Sequence, residues 1–384
     1  MTLTPTLDSE PVMPGTPRTV RVDEAELVRF ATEVFTRQGM AEDRSLAAAR
    51  ALVHGDLTGV TSHGLANLTR LYLPLFEDGR ADPKADLEIV ADRGAALLVD
   101  SHQALGLWSA GAAMELALER ADTYGIGLVS LYNGTHFGCA GHFTARAAEA
   151  GAIGLLAGNC GGQRIIRPPG GSKPLLGTNP FSIAAPGGDE PPYVLDMSTT
   201  VVPTGRIRAA AREGRPIPEG WLADDAGNPV TDPGAFDRGE AHLQWLGGRP
   251  ETGAFKGYGL SLLVETLAAL LPGANLGPTA AERDGTGPMG RDDNIGFFVL
   301  AIAPGRLRPQ EDFLRDAQDL FGSLLATEPT DPRAPVSYPG RPEAEHARAA
   351  RAEGVPLTSA LHAELVEVAG RLSLDAPATL GGQA

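Results

Sequence analysis

Residues 126–157 carry the pattern that most narrows what this chain can fold into. Ile126 to Leu131 is a short apolar run, Asn133 to Gly138 is polar, Ala140 to Ala150 is amphipathic at helical spacing, and Ala152 to Ala157 is a second apolar run. Short apolar runs bounded by turn residues read as buried strands. Strand, helix and strand within about thirty residues predict a βαβ unit with parallel strands. Ligands in such sheets bind beyond the carboxyl ends of the strands. The loop holding His136 and the segment starting at Asn159 lie there.

The flanking segments are more helical. Asp23 to Gln38 predicts a helix, with Asp23 as N-cap, Glu26 in capping-box position and Leu27, Phe30, Ala31, Val34 and Phe35 on one face. A second helix runs to His54 and a third starts near Gly64, leaving Ser62, His63 and Gly64 in the turn between them. Leu87 to Val90 and Ala95 to Val99 predict strands, and Leu107 to Tyr124 a helix closed by Gly125. Further strands are expected at Phe181 to Ala185, Tyr193 to Leu195 and Ile295 to Ile302. Helices are expected at Lys256 to Leu271, Phe313 to Leu325, Glu343 to Ala352 and Thr358 to Leu372. Arg212 to Gly253 has little periodicity and reads as a long surface excursion.

Charge and composition remove several function classes. The net charge of −16 over 384 residues opposes nucleic acid or an anionic membrane as partner. No apolar run reaches the length of a membrane span. Met1 to Thr19 lacks the pattern of a signal peptide and reads as a disordered leader. Cys139 and Cys160 cannot build a disulfide framework, no spacing suggests a metal site, and a reducing, cytoplasmic compartment is expected. Arginine supplies nearly all the positive charge, so Lys173 and Lys256, both beside glycines, stand out.

Several short segments could carry chemistry. Ser62-His63 puts a hydroxyl beside an imidazole at a helix start, suited to general acid–base work; the alternative is a cap and a polar turn residue. His136 sits at a strand's carboxyl end, where it serves a site or is satisfied by backbone. Asp196 ends an apolar strand and reads as partner to a basic group or as a helix cap. Gly177-Thr178-Asn179-Pro180 can bring backbone close to a ligand, with Arg164, Arg167, Lys173 and Arg206 as nearby positive charge. The GxGxxG fingerprint between a first strand and helix is absent, as are Walker A and HExxH motifs, so a nucleotide would be held in another way.

Taken in order, these segments resemble the malate and L-lactate dehydrogenase family that is unrelated to the Rossmann enzymes. The resemblance runs from Val22 to Leu372. It rests on Ser62-His63-Gly64-Leu65, Asn133 to Gly138, Pro174 to Pro180, Leu195-Asp196-Met197-Ser198-Thr199, Phe255 to Leu260, Asn294-Ile295-Gly296 and Tyr338-Pro339-Gly340-Arg341. It implies an α/β fold: a mixed-sheet, non-Rossmann NAD(P)-binding domain (101–325) packed with a helical, dimerising domain of terminal segments (21–100 and 326–384), after a leader (1–20). It implies hydride transfer between NAD or NADP and a small, anionic 2-oxo or 2-hydroxy acid, in a homodimer.

By the same resemblance His63 is catalytic, with Ser62 and Asp196 as relay partners and His136 near the nicotinamide. Phe137, Gly138, Gly177, Thr178, Asn179, Lys256, Gly257, Gly340 and Arg341 fall at cofactor positions. Substrate contacts are expected from Asn67, Arg70, Asn159, Arg164 and Arg167. The chain departs from the family where Asn67 replaces the arginine that usually anchors the substrate carboxylate, and where Gly158 replaces a small polar residue. These departures keep open a reductase of cyclic imino acids or of a modified biosynthetic substrate, and a catalytically silent binding relative. A Ser62-His63-Asp196 hydrolase is the remaining alternative. It would need an unusual turn for the adjacent hydroxyl and ring to meet, and no GxSxG elbow is present.

Overall fold

A computed structural model describes residues 19–277 and 290–381. The expected leader lies outside them except for Thr19 and Val20, which open the first strand. In chain order the elements are β1 (Thr19–Val22), α1 (Glu24–Arg37), α2 (Glu42–Leu57), α3 (Leu73–Glu77), β2 (Glu88–Asp92), β3 (Ala96–Asp100), α4 (Gly106–Tyr124), β4 (Ile126–Gly134), α5 (Ala140–Glu149), β5 (Ile153–Gly158), β6 (Phe181–Ala185) and β7 (Tyr193–Met197). They continue with α6 (Thr204–Arg212), β8 (Leu222–Ala223), β9 (Pro229–Val230), α7 (Gly234–Asp237), β10 (His242–Leu243), α8 (Ala254–Val264), β11 (Ile295–Ile302), α9 (Gln310–Leu325), α10 (Arg341–Glu353), β12 (Val355–Thr358) and α11 (Ser359–Leu372).

The main sheet has seven strands in the order β2-β3-β4-β11-β5-β6-β7. Only β3 and β4 pair in parallel; every other neighbouring pair is antiparallel, so the sheet is mixed as expected. The βαβ expectation needs correction. Strands β4 and β5 do run the same way, but β11 lies between them and bonds antiparallel to both. Its sequence, IGFFVLAI, is apolar throughout, which suits a strand covered on both faces. Phe297, Val299 and Ala301 enter the large core with α4, while Phe298 packs with Val264 and Ala268 on the other side.

The α8 helix continues through a widened turn at Glu265–Leu270, whose backbone crosses β11. A side chain on Gly296 would put its Cβ 1.5 Å from the Ala268 carbonyl oxygen, so the crossing requires glycine. The chain termini close on each other: β1 pairs antiparallel with β12, and α1, α2 and α11 contribute to the same core as α4. Asp23 caps α1 by accepting from the Ala25 N–H at 2.8 Å.

The surface excursion expected at Arg212 to Gly253 is instead a small folded unit. Strands β10-β8-β9 form a three-stranded sheet. Ile207, Ile217, Leu222, Phe236, Leu243 and Trp245 form its core. Its strands are two residues long, too short to leave a period in the sequence.

Gly296→Ala tests the crossing at β11. Overpacking should lower stability by about 1–3 kcal/mol, read as an earlier urea midpoint at unchanged slope. An unchanged midpoint would show that the 265–270 turn does not press on this strand.

Candidate active site

The register brings the carboxyl ends of β3, β4, β5 and β7 and the amino ends of β6 and β11 to one edge of the sheet. The loop after β4 is clamped there. Asn133 takes a left-handed conformation (φ 56°), accepts nothing less than two tethers, and holds them: its amide donates to Asp100 Oδ1 at 2.9 Å and its N–H to Asn294 Oδ1 at 2.7 Å. Thr135 Oγ1 accepts from the Gly106 N–H at 2.8 Å, locking the loop to the start of α4. His136 follows, with ring atom Nδ1 3.2 Å from the Gly138 N–H and 2.9 Å from the Tyr72 hydroxyl. A backbone amide only donates, so Nδ1 is the bare nitrogen and Nε2 carries the proton of the neutral ring. Burial lowers the proton affinity of His136, partly offset by the charge of Asp292.

His63 reaches the same place from a short 3₁₀ turn, Thr61–His63. Its ring lies near-parallel to His136, centroids 6.0 Å apart and planes 19° apart. The adjacent Ser62 Oγ is 2.9 Å from His63 Nδ1, so the turn that the sequence made look improbable is formed. Burial, and then the neighbouring His136, push His63 down to about 4. The turn is fixed from below by Asp56, at the end of α2, whose Oδ2 accepts from the Leu65 N–H at 2.6 Å. A Cβ on Gly64 would come within 2.1 Å of that oxygen. Burial, opposed by the Leu65 hydrogen bond, pushes the Asp56 carboxyl up to about 7.

The direct relay expected between Asp196 and His63 is not made. Asp196 Oδ2 accepts from the Gly141 N–H at 2.7 Å, at the start of α5, where a helix terminus attracts a carboxylate. Burial raises Asp196 to about 6. Among the described residues no carboxylate bonds the His63 ring.

Ser62, His63, His136 and Asp196 all line one cleft of about 3020 Å³, together with Asn67, Arg70, Phe137, Gly138, Asn159, Thr178 and Gly340. Several expected site residues, some in this lining and some behind it or apart from it, are committed to partners within the protein. The Asn179 amide donates to Ser261 Oγ and Glu265 Oε1, and Asn159 bonds Glu265, Asn275 and the Gly161 and Gly296 N–H groups. Gly177 packs on Cys160, and Gly257 on Leu246 and Thr199. Lys256 is exposed on α8, and Arg341 pairs with Glu190 and Glu345 at 2.9 Å each. Arg164 is buried outside the lining, Arg167 pairs with Asp225, and Gln163 and Ile165 face the cleft instead. Asn67 holds the Ser62–His63 turn, donating to the Ser62 carbonyl at 2.9 Å, and Arg70 pairs with Glu364 at 3.3 Å. Gly158 has a reason: a Cβ there would lie 2.4 Å from the Phe137 ring.

Asp56 and Tyr72 were not singled out from the sequence. The one signal was Asp56 on the buried face of α2 near Leu52, an expensive place for a carboxylate without a task.

The malate/L-lactate dehydrogenase family model matches residues 22–366. The chain belongs to that family. It is 33% identical over 309 residues to the malate dehydrogenase of Pyrococcus horikoshii, covering 80% of this chain and 83% of that one. It is 31% identical to the Delta(1)-pyrroline-2-carboxylate/Delta(1)-piperideine-2-carboxylate reductase of Pseudomonas putida, covering 90% and 96% of the two chains. The crystal structure of malate dehydrogenase from Entamoeba histolytica superposes with a TM-score of 0.87 at 28% identity, covering 94% of this chain and 100% of that one. The family member described here is an NAD(P)-dependent oxidoreductase of small hydroxy and oxo acids. Among the described residues no helix is long and apolar enough to cross a membrane.

Asp56→Ala and Gly64→Ala break one interaction from its two sides. Each should cost about 1–3 kcal/mol by urea denaturation and lower turnover. Combined, they should cost clearly less than the sum. Additive losses would mean that the carboxylate and the glycine do not act on the same turn.

Proposed function

We propose that the chain transfers a hydride between NAD or NADP and the C2 carbon of a small anionic 2-oxo or 2-hydroxy acid, with His63 moving the proton. The observation that carries this reading is the near-parallel His63–His136 pair on one cleft, one ring tied to a hydroxyl and the other fixed as an Nε2–H donor. The cleft is several times the size of an ordinary small-ligand pocket of about 300–1,000 Å³, which suits an extended dinucleotide and an acid together. His136, Phe137, Gly138, Thr178 and Gly340 would hold the coenzyme, with Gly177, Asn179 and Gly257 shaping the wall from behind. The coenzyme supplies or accepts the hydride.

The residues divide the remaining work. Ser62 Oγ, accepting from the His63 Nδ1–H, selects the tautomer whose Nε2 lone pair is free for the substrate. In oxidation Nε2 takes the hydroxyl proton; in reduction the imidazolium returns it to the developing oxyanion. A bound anionic substrate favours that charged ring. His136 donates from Nε2 to a substrate or coenzyme oxygen, held by Tyr72 and Gly138. Asn67 and Arg70 border the substrate, with Asn67 acting through the Ser62 carbonyl.

A cyclic imino acid is the second reading, favoured by the Pseudomonas putida relative and by Asn67, which leaves no guanidinium four residues after His63. We also infer a cytoplasmic homodimer in which residues 21–100 and 326–384 form the helical domain and 101–325 the coenzyme domain. The exposed apolar surface that supports a dimer lies on α8 and the turn after it, in the coenzyme domain and not in the terminal segments expected to dimerise: Phe255, Leu263 and Leu270 are 66%, 51% and 60% exposed at helical spacing.

His63→Ala should lower kcat by about 10²–10⁴-fold, while NAD(P)H fluorescence still reports near-normal coenzyme binding. A panel of 2-oxo acids and cyclic imino acids assayed beside it separates the two readings, and near-full activity of the variant would overturn the assignment. The pH dependence has a definite sign. The neutral ring is the base in oxidation and is present above its pKa of about 4. So log kcat/KM for hydroxy-acid oxidation should be flat through neutral pH and fall only on approach to that value. A break near the ordinary histidine value of about 6.5 would contradict the burial argument.

A further inference from the structure

The cleft contains a second pair of imidazoles that the chemistry above does not use. His54, in the last turn of α2, and His142, in the first turn of α5, meet edge to face with centroids 4.8 Å apart. Both line the same cleft as His63. Neither ring has a hydrogen-bond partner among the described residues. The charges acting on them are positive: Arg351 on His54, and Arg146 and Arg50 on His142. Burial first, then these cations, hold both rings neutral, His54 down to about 4. Arg146 has Glu115 and Arg351 has Glu24 as partners, whereas Arg50 lines the cleft with no partner among the described residues.

Unbonded imidazoles sharing a cleft with these three arginines, one of them without a carboxylate partner among the described residues, are unusual on a chain of net charge −16. Free imidazole N–H donors beside an arginine without a carboxylate partner suit an anion with several oxygens. The anion offsets the mutual repulsion of the arginines and gives each ring an acceptor. We propose that His54, His142 and Arg50, backed by Arg146 and Arg351, form an oxyanion subsite that takes a phosphoryl or similar tetrahedral group. The source of that group, coenzyme or substrate, rests on the proposed function; the subsite itself does not.

The test begins with the whole protein without coenzyme, titrated with inorganic phosphate and followed by the ring-proton resonances of its eight histidines. His54 and His142, assigned with His54→Gln and His142→Gln, should shift together and saturably, while His102 and His362 stay still. Arg50 is exposed, so Arg50→Ala should fold normally and weaken phosphate binding about tenfold, the scale of one charge-assisted hydrogen bond. Titration of the same variant with NADPH and NADH then locates the group. Weakening confined to NADPH assigns the 2′-phosphate, equal weakening of both assigns the diphosphate, and a raised substrate KM with neither affected assigns the substrate. Phosphate binding with no coenzyme binding would sink the proposed function and leave the subsite standing. Phosphate that moves neither ring, or binds Arg50→Ala as tightly as the parent, overturns the subsite.

Discussion

The site depends on a buried carboxylate pressed against a glycine. Asp56 Oδ2 holds the Leu65 N–H at 2.6 Å, and the absence of a Cβ on Gly64 makes that approach sterically open. Burying a carboxyl is costly unless it is well bonded. Here the cost fixes the turn that carries Ser62 and His63. Asn67 adds a second tie, to the Ser62 carbonyl. The His63 ring is therefore carried by backbone held at both ends. Gly138 packs close by, its added Cβ falling 3.9 Å from the His63 carbonyl oxygen, so the two histidine-bearing segments position one another.

A second buried carboxylate does comparable work behind the cleft. Glu265, in the widened turn after α8, accepts from the amides of Asn159 and Asn179. Asn159 also accepts from the Gly296 N–H. Glu265 thus ties the end of β5 and the Gly177–Asn179 turn to the turn after α8, and Asn159 extends the tie to the start of β11. Burial raises the Glu265 pKa and the two amides lower it. Asn159 and Asn179 look like ligand contacts in a sequence because they sit at strand ends beside glycines. Their amides are spent on this network, although Asn159 borders the cleft, and Thr178 lines it where Asn179 does not. A polar residue at the right end of a sheet is evidence of a site without being evidence of contact with the ligand.

Much of the fold was legible because it is locally encoded. The amphipathic period of α1, the apolar runs of β4 and β5 and the loop carrying His136 all appear where the residues suggested. The insertion of β11 between β4 and β5 was not legible, since the apolar run at Ile295 to Ile302 fits any buried strand and its neighbours are set far along the chain. The unit around β8, β9 and β10 escaped for the opposite reason: two-residue strands have no period, and its core residues are scattered from Ile166 to Trp245. In the site, the segments of Ser62, His63 and His136 left a structural role open for each, and it was their order along the chain that joined them; the fold brings all three to one cleft. Asp56 and Tyr72 were not legible, because their roles come from what they touch across the fold. Asp196 was legible as a strand-end carboxylate, yet its partner is the backbone at the start of α5 and not an imidazole.

The two histidines of the site illustrate how burial and geometry divide acid–base roles between chemically identical groups. Both rings lose proton affinity on burial; His136 lowers that of His63 further, while Asp292 offsets part of the loss at His136. They differ in what meets Nδ1. For His136 a backbone N–H, which can never accept, meets Nδ1 beside the Tyr72 hydroxyl, so the ring is confined to the tautomer with its proton on Nε2. For His63 it is a serine hydroxyl, which can donate or accept, so the ring can lose and regain its proton without moving.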